Sequence, residues 1–344
     1  MSDNVHKQLP ADRSGRTPGN RRHTPRATGV PRAVIALGLC AVAIVGCASS
    51  ERTEPATSSA VPNRQVATTA PPPALSPSTY QDRLRSSSSA VAPAFDRLAA
   101  AGSPEDARTE LEQASTAASA ATRSLDVDPP LEVLAVHRDL LAGLRQLATD
   151  LSQLSDQVAS MELCAAPSIL AAVSNAPGVN SLRTVSEALG SGRSGASYRW
   201  GEFLPDPISL PERRLDNGQL VDNQRRTGSG QLEVDNGTEH DAVVKLVQSG
   251  EPIVSVYVRK GSKTTVEKIN DGSYELFYTS GVDWDNELET FTRSCQFERF
   301  DAPAEFTTVS VEGGVEYTVQ SVGLQPRIGG NARTTTVPSQ SFPK

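Results

Sequence analysis

The chain has 344 residues and is poor in the residue types that most active sites use: four histidines, four cysteines, two methionines and two tryptophans. Only His137 and His240 lie beyond the first 46 residues. Two histidines leave little material for a Ser-His-Asp or Cys-His site, and no Gly-x-Ser-x-Gly, His-Glu-x-x-His or P-loop pattern is present. Gly192-Arg193-Ser194-Gly195-Ala196 comes nearest to the first of these and ends in alanine. Positive charge is also short: 33 Lys+Arg against 40 Asp+Glu give a formal charge of −7. An acidic surface repels nucleic acid and anionic headgroups, so neither is an expected partner. A spanning helix needs ~20 apolar residues, and the uncharged run 33–46, AVIALGLCAVAIVG, falls short of that.

That run follows a basic stretch (Lys7, Arg13, Arg16, Arg21, Arg22, Arg26, Arg32) and leads into Ile44-Val45-Gly46-Cys47. A basic segment, a short apolar segment and a small residue before the cut have the form of an export signal. Arg21-Arg22, ten residues before the apolar run and without the usual following apolar residue, is a weak twin-arginine signal. Ile44-Val45-Gly46-Cys47 resembles a bacterial lipobox. The resemblance implies cleavage after residue 46, acylation of Cys47 and a protein held by lipid on the outer face of the cell membrane. Two or three chains would make the anchor effectively permanent. Without residues 1–46 the chain keeps 26 basic and 38 acidic residues, a formal charge of −12.

Residues 47–79 read as the lipidated cysteine and a disordered tether. They are rich in Ser, Thr, Ala and Pro and hold no aromatic residue, so they cannot bury enough apolar surface to offset their ordering entropy. The composition changes at Tyr198. Of 16 aromatic residues, 14 lie at or beyond it. The expected fold class is therefore α+β with separate domains: a small helical bundle over 80–189, a linker over 190–227, an antiparallel β-sandwich over 228–324 and a tail over 325–344.

In the bundle, Val133, His137, Leu140, Leu144, Leu147, Leu151, Leu154, Val158 and Met161 recur at alternating spacings of four and three, a heptad seam. Ser103-Pro104-Glu105-Asp106 reads as a cap, a first-position proline and an acidic first turn. A helix over about 80–100 should kink at Pro93. Short helices are expected near 166–174 and 180–189. In the linker, Tyr198, Trp200 and Phe203 should dock on a domain.

Eight strands are expected: 231–234, 242–247, 253–259, 264–269, 274–278, 295–300, 306–311 and 315–322. Turns are marked by Asn236-Gly237, Asn270-Asp271-Gly272 and Gly313-Gly314. The stretch VDNGTEHDAVVKLV…SVYVRKG…VEKINDGSYELFYTSGVDWD resembles modules of uncharacterised secreted and lipid-anchored bacterial proteins. It is also similar to transthyretin-like or carboxypeptidase-regulatory sandwiches. The resemblance covers about 95 residues and implies a module that supports or binds and does not catalyse.

Cys164 and Cys295 remain after loss of Cys40 and acylation of Cys47. An oxidising compartment favours a disulfide between them, and two buried thiols are the alternative. Asp283-Trp284-Asp285-Asn286-Glu287 is the sharpest local cluster. It fails as an EF-hand, with Leu288 where glycine is needed, so no metal or cofactor is expected. It is either an acidic loop whose Trp284 covers the sandwich edge or, with Trp284 exposed, a ligand contact made by Trp284, Asp283 and Asp285. His137 reads as an interface histidine, His240 as a loop residue, and the sequon at Asn236 as a tight turn. The functional expectation is a non-enzymatic binding or scaffolding module for cell-wall glycan or another surface protein. The alternatives are a wall-active enzyme with acidic catalytic residues and an accessory subunit of a membrane complex.

Overall fold

The computed structural model describes residues 5–6, 74–192, 196–325 and 333–344. The expected export signal apart from Val5–His6, and with it Cys47 and nearly all of the expected tether, lies outside the described residues.

Two helices begin by the same chemistry. Ser76 and Ser103 each accept a backbone N–H three residues on, and a proline follows each at the first helical position. They open α1 (Pro77–Ala99) and α2 (Pro104–Ser124). The helix α1 starts three residues before the expected point and continues through Pro93. Val91, Ala94, Phe95 and Leu98 are buried around that proline, and their packing outweighs the one hydrogen bond it removes.

The seam becomes α3 (Leu134–Ala159), entered through a 3-10 turn at Leu131–Val133. Every seam residue from Val133 to Val158 is buried. The helices α4 (Ala166–Ser174) and α5 (Pro177–Gly190) complete the set. Buried Asp150 on α3 accepts the Gly178 N–H at 2.7 Å, which caps α5 from outside. A Cβ on Gly178 would sit 2.4 Å from the Leu147 nitrogen, so glycine lets the two helices meet. Tyr198 and Trp200 bury on the same core and Phe203 packs against it, as expected; Trp200 Nε1 donates to Ser87 Oγ at 3.0 Å.

Two β-sheets follow. Their strands are β1 (Val5–His6), β2 (Leu220–Asn223), β3 (Gly230–Asp235), β4 (Asp241–Gln248), β5 (Glu251–Val258), β6 (Lys263–Ile269), β7 (Gly272–Asp285), β8 (Thr290–Phe300), β9 (Ala304–Phe306), β10 (Thr308–Val311), β11 (Gly314–Gly323) and β12 (Thr334–Thr336). One sheet has the order β1-β11-β3-β6 with β10 on β11; the other has β12-β8-β7-β4-β5-β2 with β9 on β7. Leu232, Val234, Val266 and Ile269 from the first meet Val244, Val256, Leu276 and Tyr278 from the second in one core. The pairing is antiparallel except between β11 and β3, which run parallel from Val319↔Gln231 to Gly323↔Asp235. That ladder corrects the wholly antiparallel expectation.

The described helices and strands fall within one compact unit. Met161–Cys164, after α3, runs along β8: Cys295 N–H donates to Met161 O, Ser294 N–H to Glu162 O and Cys164 N–H to Thr292 O, at 2.9–3.0 Å. Cys164 and Cys295 form a disulfide across this join, with Cα atoms 6.2 Å apart and a sequence separation of 131.

Candidate functional site

Asp283, Trp284 and Asp285 of the acidic cluster lie on a strand, and Asn286 and Glu287 lie in the turn that follows it. The strand β7 continues past Tyr278 through Gly281 to Asp285. Its register against β8 shifts between Ser280 and Val282, and Asp283 takes a left-handed backbone (φ 61°). Gly281 permits this: a Cβ there would lie 2.6 Å from Phe291 Cβ and 2.8 Å from the Arg293 carbonyl.

Trp284 is 1 % exposed and packs edge-on against Phe291 and Tyr257; its Nε1 donates to Asn286 Oδ1 at 2.9 Å. Asp283 and Asp285 are 4 % and 8 % exposed. Asp283 accepts from Arg213 Nε at 2.8 Å, Arg213 Nη2 and backbone N–H at 2.9 Å, and Thr292 Oγ1 at 2.7 Å. Asp285 accepts Arg213 Nη1 at 2.7 Å and the amides of Glu287 and Leu288. The expected ligand contact at Trp284, Asp283 and Asp285 is therefore corrected. All three side chains are turned inward and committed to partners in the chain.

A second clasp follows in sequence. Arg214 forks onto Asp241 with two bonds of 2.6 Å, Tyr257 Oη donates to the same carboxylate at 2.5 Å, and the Lys260 N–H adds a bond at 2.8 Å. Together the two arginines fasten the expected linker to the outer face of the seven-stranded sheet.

Burial raises both carboxyl pKa values, but the bonds from the arginines, from Thr292 and Tyr257 and from backbone amides outweigh it. Asp283 is held at about 2, and Asp241 also lies below the usual carboxylate range. Burial and the Asp241 carboxylate push the Tyr257 phenol up.

The middle of the same face carries an unexpected cation. Asp222, Ser255, Lys245, Phe277 and Arg299 form one cross-strand row over β2, β5, β4, β7 and β8. Lys245 is 1 % exposed, with Asp222 Oδ2 at 3.5 Å. Val243, Val247, Tyr257 and Phe297 surround this row, and Phe342 from the C-terminal stretch covers it. The Phe342 ring centroid lies 6.0 Å from Lys245 Nζ.

The histidines divide. His137 is buried on the seam, with Nδ1 3.0 Å from Tyr80 Oη. His240 is half-buried in the β3–β4 connection. Asn236 is wholly buried; its Nδ2 donates to the carbonyls of His240 and Val258, and its Oδ1 closes a turn with Thr238. Among the described residues no group of three His, Cys, Asp or Glu could hold a metal ion, and no helix is long and apolar enough to cross a membrane.

Set against protein-family models, curated proteins and solved structures, the chain matches none of them.

Sequence reasoning missed Arg213, Arg214, Asp241 and Lys245. The signal for Lys245 was present: it interrupts the run Val243-Val244-Lys245-Leu246-Val247 on a strand buried on both faces. The arginine pair carried no signal, because it sits in a polar linker.

Proposed function

We propose that the chain is a lipid-anchored extracytoplasmic protein whose folded part binds or scaffolds a surface partner without catalysing a reaction. Cys47 is the anchor, residues 48–76 are the tether, and the joined helical and strand regions form the binding body. The partner is a wall glycan or another surface protein.

The observation that carries the reading is the fate of the best chemical cluster. Asp283, Asp285 and Asp241 are each within 2.9 Å of an arginine nitrogen and at most 8 % exposed. Carboxylates pinned in this way, with Asp283 and Asp241 held below the usual range, are poor proton shuttles near neutral pH. They act as fasteners of a rigid face.

Proximity crosslinking on intact cells, with the mature chain as bait, tests the reading. Recovery of a reproducible surface partner supports it. Hydrolytic activity of the purified mature chain on wall polymers, abolished by one carboxylate substitution, overturns it.

A further inference from the structure

The edge of β8 is closed in two halves by two unlike segments. Along Thr292–Cys295 it is closed by Met161–Cys164, which the disulfide holds covalently. Along Glu298–Phe300 it is closed by β12, three exposed residues near the C-terminal end of the sequence. The inward anchors of that second segment are Val337, whose N–H also donates to the Phe297 carbonyl at 2.9 Å, and the Phe342 ring. Phe342 packs edge-on against Phe277 and Phe297, at centroid distances of 5.9 and 5.2 Å.

Beneath the ring the floor is polar. Lys245, Ser255 and Thr279 are each at most 1 % exposed, and Lys245 Nζ, Ser255 Oγ and Thr279 Oγ1 make no hydrogen bond within the chain. Lys245 and Ser255 are opposite each other on β4 and β5; Thr279, on β7, is opposite Val243, two register positions further along. The Asp222 carboxylate stands 3.5 Å from Lys245 Nζ, an ion pair too long for a good hydrogen bond, and Phe342 covers this floor without adding an acceptor to it.

We propose that this face is a peptide-acceptor site that the C-terminal segment 333–342 occupies as a placeholder. The occupant it fits is an extended protein segment that adds to the β8 edge. Such a segment sets an apolar side chain in the place of Phe342 and brings a carboxylate to Lys245. Main-chain pairing supplies the affinity, and the ring pocket and the buried cation supply the specificity. The proposal rests on the reading of the protein as a binding module and names the chemistry of its partner.

The test uses the mature chain carrying Val337→Ser with Phe342→Ala, which removes both inward anchors of the segment and frees the pocket, and a fluorescent peptide of residues 333–342 ending in a free carboxylate at Phe342. Fluorescence anisotropy should show binding to the variant at least tenfold tighter than to the unaltered chain. The amidated peptide should bind the variant at least tenfold more weakly than the acid, and adding Lys245→Met should abolish that preference. Equal binding of acid and amide overturns the role of Lys245, and no binding overturns the site. Hydrogen exchange on the unaltered chain supplies a second reading that needs no variant. Amides of Thr334–Thr336 should exchange at least a hundredfold faster than those of Leu163 and Cys164, and equal protection contradicts a displaceable segment. Failure to find a partner on cells leaves these results intact, so the two readings fail separately.

Discussion

Arg213 and Asp283 are joined by three hydrogen bonds of 2.8–2.9 Å, two from the guanidinium and one from the Arg213 backbone. The pair ties a segment that reads as linker to a strand in the middle of the β region. Arg213→Ala leaves the Asp283 carboxylate buried without its cation. Loss of one partner of a buried pair costs ~3–5 kcal/mol, and the half-exposed guanidinium places this case near the lower end. Thermal unfolding followed by circular dichroism should show a fall of about 6–12 °C.

The same pair sets an acid limit. Asp283 titrates at about 2 in the fold and near 3.9 in the unfolded chain, so unfolding takes up a proton between those values. Its stabilisation, ~2 kcal/mol, is complete above about pH 4 and is lost as pH falls through about 2. Asp241, also depressed, adds a limb of the same sign. Urea midpoints between pH 6 and pH 2 should therefore decline steeply below pH 4, and Asp283→Asn should be less stable at neutral pH with a shallower acid limb.

Removal of the Cys164–Cys295 bond, by Cys164→Ser with Cys295→Ser, should cost ~3 kcal/mol through loss of a long closed loop. The loss should be local as well as global. Hydrogen exchange should quicken first in Met161–Cys164 and Thr292–Cys295, where the helical region meets β8, with β4 and β5 affected least.

His137 gives the helical region a dependence of its own near neutrality. Burial lowers its imidazole pKa, against the Leu125 carbonyl and Asp126, which raise it. The unfolded chain then binds the proton more readily. The contribution is whole above about pH 6.5 and fades as pH falls below that value. Melting temperatures measured from pH 8 to pH 5 should decline, and His137→Leu should flatten the decline. Tyr80→Phe removes the bond to Nδ1 and should cost ~1 kcal/mol.

Much of this architecture was legible in the residues because it rests on local patterns. The heptad seam gave α3, Ser103-Pro104 gave the start of α2, and alternation with Gly and Asn turns gave most strands. What escaped reading depends on distant partners. Thr279-Ser280-Gly281 looks like the end of a strand, yet β7 continues because β8 pairs with it and Gly281 clears Phe291. The parallel ladder between β11 and β3 joins residues about 88 apart, and no local pattern encodes it. Trp284 and its flanking aspartates read as a surface cluster because Arg213, 70 residues earlier, is what turns the carboxylates inward. The C-terminal segment looked featureless because a three-residue strand and one phenylalanine carry no periodicity.

The proposed membrane anchoring depends on acylation of Cys47. The most direct measurement is mass spectrometry of the N-terminal peptide of the protein extracted from cells into detergent. Anchoring through Cys47 requires a peptide that begins at Cys47 and carries two or three acyl chains. An unacylated Cys47, or a leader still attached in a protein that partitions to the aqueous phase, contradicts it.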